Sequence, residues 1–314
     1  MDIFGVLALL GGLAIFLYGM DLLGEGLTGA SGGKLENILE KLTSNPIKAV
    51  LLGAGVTAVI QSSSATTVMV VGFVNSGIMK LRQAIGIIMG ANIGTTITSW
   101  ILSLTGIESD NFFIRMLKPT SFSPILAVIG VVMLVFLKKD KFKNPAKIFI
   151  GFALLMYGME AMSSSVEPLA EVPQFQALLT TFKNPILGMI AGLVFTAIIQ
   201  SSSASVGILQ ALAKSGVMTL SSSIYVLFGQ NIGTCITSVL ASIGTSKNAK
   251  RTTIIHLSFN IIGTVLFVTI SMLFPFADLV QSLTPSNVAA QIANVHTIFN
   301  VTTTLLLLPI GTKL

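Results

Sequence analysis

The sequence predicts an all-α integral membrane protein of two inverted repeats, each with a re-entrant helical hairpin and a discontinuous transmembrane helix. Three observations support this fold class: an apolar composition, a duplicated set of motifs, and the distribution of basic residues. The 314 residues are 53% hydrophobic and only 10% charged, with a mean hydropathy of +0.88. Soluble domains carry about 25% charged residues, so this chain has too few charges to cover a water-facing surface.

The net charge of +6 does not indicate a nucleic-acid-binding protein, because the basic residues lie in short loops between apolar stretches. We therefore expect a lipid bilayer, and no nucleic acid, as the surrounding partner. A single cysteine, Cys235, excludes an intrachain disulfide. The residues after Met1 lack the basic segment of a signal peptide, so we expect the first apolar stretch to remain as a membrane helix.

The chain is internally duplicated with an offset of 139 residues, without a gap from Ile15 to Trp100. The segment Gln61–Ala65, read QSSSA, aligns with an identical segment that begins at Gln200. Residues 90–99 contain Asn-Ile-Gly-Thr, and so do residues 229–238. Such self-similarity indicates a repeated architecture.

Hydropathy predicts full membrane crossings near residues 4–23, 83–105, 121–138, 147–163, 222–243, 253–274 and 296–312. Between the first two lies Ile47–Met79, and between the fourth and fifth lies Ile186–Met218. Each segment is two apolar arms joined by Gln-Ser-Ser-Ser, and each arm is too short to cross a hydrocarbon core of ~30 Å. We therefore predict re-entrant hairpins with their tips near the midplane, because one long helix unwound at the serines would contain too many residues.

These assignments divide a single membrane transport domain, residues 1–314, into four parts. They are a first repeat at 5–105, a connecting span with a basic loop at 106–146, a second repeat at 147–243, and C-terminal spans at 244–314.

Basic residues favour one orientation, because cytoplasmic loops of membrane proteins are enriched in Lys and Arg. With the basic loop near residue 140 inside, four cations face outside: Arg115, Lys118, Lys183 and Lys214. Fourteen face inside: Lys34, Lys41, Lys48, Lys80, Arg82, Lys138, Lys139, Lys141, Lys143, Lys147, Lys247, Lys250, Arg251 and Lys313. This places the N-terminus outside and the C-terminus in the cytoplasm, for a multi-pass protein of the inner (plasma) membrane. Three crossings separate the starts of the repeats, so the repeats have opposite orientations.

The two serine-rich tips are candidate anion-binding elements. Hydroxyl groups both donate and accept hydrogen bonds, and the first turn of each second arm presents free backbone N–H groups. Alternatively, the serines serve only to let helices pack closely. The candidate anion ligands are Ser62, Ser63, Ser64, Thr66, Ser201, Ser202, Ser203 and Ser205.

The two Asn-Ile-Gly-Thr segments predict local breaks in otherwise apolar helices. Freed carbonyl oxygens, with Asn and Thr oxygens, suit a hard cation such as sodium. Alternatively, the glycine marks a tight helix crossing, with the asparagine bonded to the hairpin. The candidate cation ligands are Gln61, Asn92, Thr95, Thr96, Gln200, Asn231, Thr234 and Thr237.

Three further features bear on mechanism. No carboxylate lies well inside a predicted span, which favours sodium over proton coupling. His256 and His296 share the pattern His-x-x-Phe-Asn, for which we expect a structural bond to a neighbouring helix, with pH sensitivity as the alternative. Gly-Ala-Ser-Gly at Ser31 is similar to an intramembrane protease motif, but it lies in a polar loop without a histidine, so we expect no enzyme activity.

The paired Gln-Ser-Ser-Ser and Asn-Ile-Gly-Thr motifs, with His256-x-x-Phe-Asn, resemble those of the type II sodium–phosphate cotransporter family over roughly residues 5–312. This family includes bacterial members and the animal renal and intestinal carriers. The resemblance implies import of inorganic phosphate with sodium as coupling ion, no other cofactor, and a site formed by the serine-rich tips.

The chain departs from the family in two places. The span 121–138 lacks the aspartate of electrogenic animal members. Many bacterial relatives also have a C-terminal PhoU-like domain, whereas this sequence stops at Leu314, either by nature or by truncation. Alternatives to phosphate–sodium symport are a carrier of sulfate or a dicarboxylate, and a passive anion channel. The late spans are a candidate surface for a homodimer.

Overall fold

In a computed structural model, the described residues are 3–30, 45–104, 119–137, 139–166, 168 and 181–311, and no strand occurs in these ranges. Several residues of the sequence predictions lie outside them: Ser31, Lys34, Lys41, Arg115, Lys118, Lys138 and Lys313. The all-α prediction is confirmed for the described part of the chain.

The described helices fall into two series along the chain. The first contains α1 (Ile3–Ala30), α2 (Pro46–Ile60), α3 (Ser63–Asn75), α4 (Leu81–Ser103) and α5 (Pro119–Phe136). The second contains α6 (Lys143–Val166), α7 (Pro185–Ile199), α8 (Ser202–Lys214), α9 (Leu220–Gly233), α10 (Ile236–Ala241), α11 (Lys247–Leu273), α12 (Phe276–Leu283) and α13 (Val288–Leu307). Short 3-10 turns cover Asp140–Phe142 and Thr181–Lys183.

In the described part of the chain, five helical segments are long and apolar enough to cross a membrane: Ile3–Leu27, Leu81–Ser103, Asp140–Met162, Leu220–Ala241 and Lys247–Leu273. They correspond to five of the seven predicted crossings. The crossing predicted at 121–138 falls on α5, whose segment Ser121–Phe136 is shorter than a full span. The seventh was placed near 296, whereas α13 already begins at Val288, because its polar side chains are buried against other helices and lower its hydropathy. Exposed apolar side chains such as Phe4 and Val128 are those that contact lipid in a membrane protein.

The hairpin arms of the two repeats coincide with the offset of 139 residues: 46–60 with 185–199, and 63–75 with 202–214. Both first arms begin in the same way, with an asparagine cap followed by proline. The Oδ1 atom of Asn45 accepts from the N–H of Ile47 at 2.8 Å, and Asn184 does the same one repeat later at 3.0 Å. Each arm has 13 or 15 residues, which extends about 20–23 Å.

The first helices of the two repeats, α1 and α6, pack closely and run antiparallel. A Cβ atom built on Gly12 would contact Ala161, whereas one built on Gly26 would contact Ile148, so positions rise in one helix as they fall in the other. Gly19 lies directly against the backbone of α6. Glycine is needed here because any side chain would overlap the facing helix.

A second set of glycines holds each first hairpin arm against the following helix. Gly53 of α2 and Gly90 of α4 face the backbone of each other's helix, and Gly192 of α7 and Gly229 of α9 repeat the arrangement. In both pairs the contacts advance in the same direction along the two helices, so the helices run parallel. The polar segment of each long helix is thereby held beside a hairpin.

The prediction of a break in both Asn-Ile-Gly-Thr helices is wrong for the first repeat. Helix α4 is continuous through Gly94, which packs against Ala54 and Thr57, while Thr95 and Thr96 hydroxyls donate to carbonyls of the preceding turn. The glycine there serves a close helix crossing. In the second repeat the helix does break, between α9 and α10, where the Cys235 N–H bonds three residues back to Ile232.

The C-terminal helices α11 and α13 join the second repeat through stacked phenylalanines. The ring centroids of Phe228 and Phe299 are 5.4 Å apart, and those of Phe267 and Phe299 are 5.3 Å apart. This contact fixes α13 beside α9, with its polar face towards the Asn-Ile-Gly-Thr segment.

Candidate functional site

Both hairpin tips reverse direction through one left-handed residue. Gln61 and Gln200 each have φ of 59°, and they are the non-glycine residues with positive φ in the described ranges. Ser62 and Ser201 follow as helix caps, and each hydroxyl accepts the backbone N–H three residues later, at 3.1 and 3.2 Å. A left-handed residue followed by a serine cap lets the chain turn back within two residues.

The two tips meet. The Oγ atoms of Ser63 and Ser202 are 3.2 Å apart, and both side chains are buried. These residues occupy equivalent positions in the two repeats of the sequence, 139 residues apart. The Ser64 hydroxyl also reaches the Gln200 carbonyl across the tips, at 3.4 Å.

Polar side chains from three long helices surround this contact and line a small cavity, which we call the central cavity. Its volume is about 10 Å³, comparable to that of a single water molecule. Its lining residues are Ser63, Asn92, Thr95, Ser202, Asn231, Thr234, His296 and Asn300.

Among the described residues, those that line the central cavity are polar but uncharged, and the imidazole of His296 is the one titratable group in that set. The Nδ2 atoms of Asn92 and Asn231 are buried and have no hydrogen-bond partner in the structure's described part. Such unpaired donors suit an anion. The hydroxyl oxygens of Thr95 and Thr234 and the amide oxygens of Asn92 and Asn231 are hard ligands suited to sodium. No cluster of three His, Cys, Asp or Glu side chains occurs within the residues described.

The structure brings together six of the predicted ligands in the central cavity: Ser63, Asn92, Thr95, Ser202, Asn231 and Thr234. The others lie around it or turn away. Thr66 bonds to Thr57 at 3.0 Å, Thr96 and Thr237 bond to carbonyls of their own helices, and Gln200 is exposed. The remaining predicted ligands that do not line the central cavity are Gln61, Ser62, Ser64, Ser201, Ser203 and Ser205.

Sequence reasoning did not predict that His296 and Asn300 line the central cavity. The Nε2 atom of His296 lies 3.2 Å from Oδ1 of Asn231, so the expected structural bond to a neighbouring helix is present. Asn300 donates to the carbonyl of His296 at 2.9 Å. Both residues could have been found from the sequence, because His296 and Asn300 lie one helical turn apart and form a polar face on an otherwise apolar span.

A larger cavity of about 580 Å³ lies on one side of the first tip, between α1, α2 and α6. Gln61 and Ser62 line its inner end, and Asp21 lines its wall. The ion pair of Glu25 and Lys147, at 2.7 Å, lies at its rim. This cavity approaches the central cavity from the end of the molecule that carries Lys147.

Comparison with known proteins identifies a family and several relatives of this chain. The family model of the Na+/Pi-cotransporter matches the chain twice, over residues 15–164 and 154–284. An uncharacterized protein of Bacillus subtilis, YqeW, is 31% identical over 299 residues, which is 95% of this chain and 92% of that protein.

Other relatives carry functional names. The putative inorganic phosphate export protein YjbB of Salmonella typhimurium is 27% identical over 88% of this chain. The chain spans about half the length of that relative, 49%. The human sodium-dependent phosphate transport protein 2B is 38% identical over 113 residues, 35% of this chain and 16% of that protein. No solved structure matches the chain. The two matches of the family model together cover most of the sequence, and the chain belongs to the Na+/Pi-cotransporter family.

Proposed function

We propose that this protein is a secondary active transporter that moves inorganic phosphate together with sodium by alternating access. The observation that carries the proposal is the contact of Ser63 with Ser202, which brings the two serine-rich tips together at one small polar cavity. Membership of a transporter family supports a carrier and not an enzyme.

The proposed architecture is two inverted repeats with re-entrant hairpins. It is supported by the antiparallel packing of the equivalent helices α1 and α6, because two equivalent helices that pack antiparallel are related by an axis across their length. Arms of 13 and 15 residues are shorter than a ~30 Å hydrocarbon core requires. The repeat boundaries at 5–105 and 147–243 follow from the same correspondence.

The proposed orientation places the N-terminus outside the plasma membrane. One end of the molecule carries Lys147 and, beside it, the 3-10 turn at Asp140 with Lys139, Lys141 and Lys143. The opposite end contains Lys214, paired with Glu160 of α6. The positive-inside rule favours the lysine-rich first end as the cytoplasmic one. The 580 Å³ cavity would then open inward.

Phosphate would bind between the two tips once they separate, because a cavity of about 10 Å³ is too small for it. The hydroxyls of Ser63 and Ser202, which now bond to each other, would then donate to phosphate oxygens. First-turn N–H groups of α3 and α8 and the unpaired Asn92 and Asn231 amides are further donors. The other tip residues, including Ser62, Ser64, Thr66, Ser201, Ser203 and Ser205, would form the surroundings of the anion.

Sodium would bind to oxygens of the two Asn-Ile-Gly-Thr segments and the glutamines that precede the tips. Because the described residues that line the central cavity include no Lys or Arg, co-bound sodium would supply the countercharge for phosphate. The proposed sodium ligands are Gln61, Asn92, Thr95, Thr96, Gln200, Asn231, Thr234 and Thr237. A homodimer through the C-terminal spans stays a prediction.

Transport into proteoliposomes tests the coupling and the cargo. Labelled phosphate uptake is measured with an inward sodium gradient and, separately, with an equal potassium gradient. We expect uptake with sodium only. Flux that is independent of the sodium gradient would favour a channel, and inhibition of that flux by sulfate or a dicarboxylate better than by phosphate would favour another cargo.

The direction of net transport is tested in the same vesicles, because a relative is named a phosphate export protein. We propose import. Vesicles are loaded with sodium and phosphate, and the sodium gradient is set inward in one sample and outward in another. A symporter moves phosphate in the direction in which sodium flows. The inward sodium gradient of a cell would therefore drive phosphate uptake. Phosphate movement against the direction of sodium would contradict symport and support sodium-driven export.

Two substitutions test the site. We expect Ser63→Ala and Ser202→Ala each to abolish phosphate uptake, because each removes a hydroxyl at the meeting point of the tips. Ser223→Ala is the matched control: Ser223 is equally buried, but its hydroxyl bonds within α9. Full uptake by both tip variants, with all three proteins monodisperse in detergent, would contradict the site assignment.

A further inference from the structure

His296 lines the central cavity, and one of its two ring nitrogens has no hydrogen-bond partner among the described residues. Its side chain lines the cavity and is buried, with 2% of its surface exposed. Nε2 lies 3.2 Å from the amide oxygen of Asn231, and Nδ1 has no hydrogen-bond partner in the described part of the chain. A buried polar atom without a partner is energetically costly, so such an atom beside a cavity indicates a ligand that bonds to it.

The bond to Asn231 fixes which nitrogen of His296 carries the proton. An amide oxygen only accepts hydrogen bonds, so Nε2 carries the proton and donates to it. In a neutral imidazole the other nitrogen, Nδ1, then has a lone pair and only accepts. No carboxylate lines the cavity to stabilise a doubly protonated ring. The hydroxyls and amides of the other lining residues can all donate, and they differ from Nδ1 in this respect.

An unpaired ring nitrogen that only accepts, on a side chain that cannot turn a donor towards the ligand instead, suits one class of ligand. Sodium is a hard cation that prefers oxygen ligands, and the cavity supplies several of those. Monohydrogen phosphate carries acceptor oxygens and one P–OH donor, whereas sulfate carries acceptors only. A buried group that must accept a hydrogen bond discriminates between such ligands, because it is left unpaired by the one that lacks the donor.

We propose that His296 is a specificity-determining residue whose Nδ1 accepts the hydrogen bond of the P–OH group of monohydrogen phosphate. The inference rests on the proposed phosphate transport and adds the selectivity to it. Asn231 acts as a positioning residue, since its amide oxygen holds the proton on Nε2. The site thereby favours a protonated tetrahedral oxyanion over fully deprotonated ones of equal charge.

The test uses monofluorophosphate, which at mildly alkaline pH is a dianion like monohydrogen phosphate but has fluorine in place of the hydroxyl group. In wild-type protein, phosphate, fluorophosphate and sulfate compete with labelled phosphate for sodium-driven uptake. We expect phosphate to compete at least about tenfold better than either analogue, the effect of one unpaired buried acceptor. Equal competition by phosphate and fluorophosphate would overturn the inference without any variant.

His296→Ala is expected to weaken phosphate about tenfold and leave fluorophosphate and sulfate nearly unchanged, so that the discrimination is lost. His296→Gln retains an acceptor and should recover part of it. His256→Ala is the matched control, because His256 is buried in the same His-x-x-Phe-Asn pattern but bonds Ser238 at 3.1 Å and does not line the cavity. Loss of discrimination in the His256 variant, or its retention in His296→Ala, would overturn the inference.

A binding measurement covers variants that no longer transport. Trp100 is the single tryptophan, and its Nε1 donates to Thr297, the residue after His296, at 3.0 Å. Its fluorescence in detergent is titrated with phosphate and with fluorophosphate in the presence of sodium. A preserved ratio of the two affinities in His296→Ala contradicts the proposal. Wild-type protein that neither binds nor transports phosphate refutes the proposed function itself, which is a separate outcome.

Discussion

The helices of the first and second hairpins begin and end at equivalent residues, yet the two tips are held by different side-chain contacts. In the first repeat, the hydroxyl of Thr57 bonds to Thr66 at 3.0 Å, and Gln61 is buried and accepts from Thr98 at 2.8 Å. In the second, the equivalent hydroxyls of Thr196 and Ser205 are buried without a partner in the described ranges. The equivalent of Gln61 is exposed there.

A carrier built from inverted repeats is expected to show such a difference whenever it is open to one side of the membrane only. If both tips had the same contacts, the protein would be equally open on both sides. Here the 580 Å³ cavity reaches the first tip, while at the other end Lys214 of the second hairpin is paired with Glu160 of α6. Under the proposed function, the repeats would exchange these arrangements when the protein opens to the opposite side.

The largest expected effect is in a feature that the repeats share. A Cβ atom at Gly90 would overlap the carbonyl oxygen of Val50, and one at Gly229 would overlap that of Met189. Gly90→Ala and Gly229→Ala should each destabilise the protein by about 3 kcal/mol or more, because the helices must separate. Thermal unfolding in detergent measures this.

Gly55→Ala is the matched control for these glycines. Gly55 lies in α2 two residues from Gly53, but no atom lies near its missing side chain. Alanine there should be neutral or stabilise by up to about 1 kcal/mol, because it is the better helix former. Equal losses at Gly55 and Gly90 would mean that the helix contacts do not decide the effect.

The next effect separates the repeats. Thr57→Val removes a buried hydrogen bond and should cost about 1.5 kcal/mol. Thr196→Val removes a buried hydroxyl that has no partner in the described part of the protein, and should be neutral or stabilising. The two positions are equivalent, and valine has nearly the shape of threonine. Destabilisation of the same size at both, measured by thermal unfolding, would show that the second hairpin has contacts like those of the first.

Much of the fold follows from local sequence. The caps Asn45 and Asn184, each followed by proline, and the repeated Gln-Ser-Ser-Ser set the arms to within a few residues, because these signals act over one helical turn. The break predicted in α4 failed because the role of Gly94 depends on what faces it. A glycine that allows a break and one that admits a neighbouring helix read the same in sequence.

The site was predictable only as far as repetition identified it. The tips and the asparagines were found because they occur twice, and Ser63, Ser202, Asn92 and Asn231 do line the central cavity. His296 has no equivalent in either repeat, so symmetry gave no signal for it. Of the two His-x-x-Phe-Asn patterns, tertiary packing alone decides that His296 lines the cavity and that His256 bonds to α10.

A smaller effect concerns the left-handed tip residues. Glycine accepts positive φ without strain, so Gln200→Gly should stabilise the protein by about 0.7 kcal/mol. Gln61→Gly gains the same relief but loses the bond from Thr98, so its net effect should be near zero or destabilising. The comparison of the two thermal midpoints is the measurement. A larger gain at Gln61 than at Gln200 would contradict the view that the first tip is the more firmly bonded.

The smallest effect is in the two ion pairs, one at each end of the molecule. Lys214 and Glu160 are 2.6 Å apart with side-chain exposures of 17% and 47%, whereas Lys147 and Glu25 are 2.7 Å apart with exposures of 38% and 53%. Exposed pairs contribute little because water and salt screen them, so a double-mutant cycle to alanine should give about 0.5 kcal/mol for the first pair and less for the second. The Lys214–Glu160 pair has a second possible effect, which is to keep its own end of the molecule closed. Loss of the pair should then make the second tip more accessible to a water-soluble thiol reagent. The test is thiol labelling of Gln200→Cys in a Cys235→Ala background. If labelling of the cysteine at position 200 does not change when the pair is removed, the Lys214–Glu160 pair is only a surface contact, whatever its coupling energy. The contact of Ser63 with Ser202 would then be the contact that closes the site.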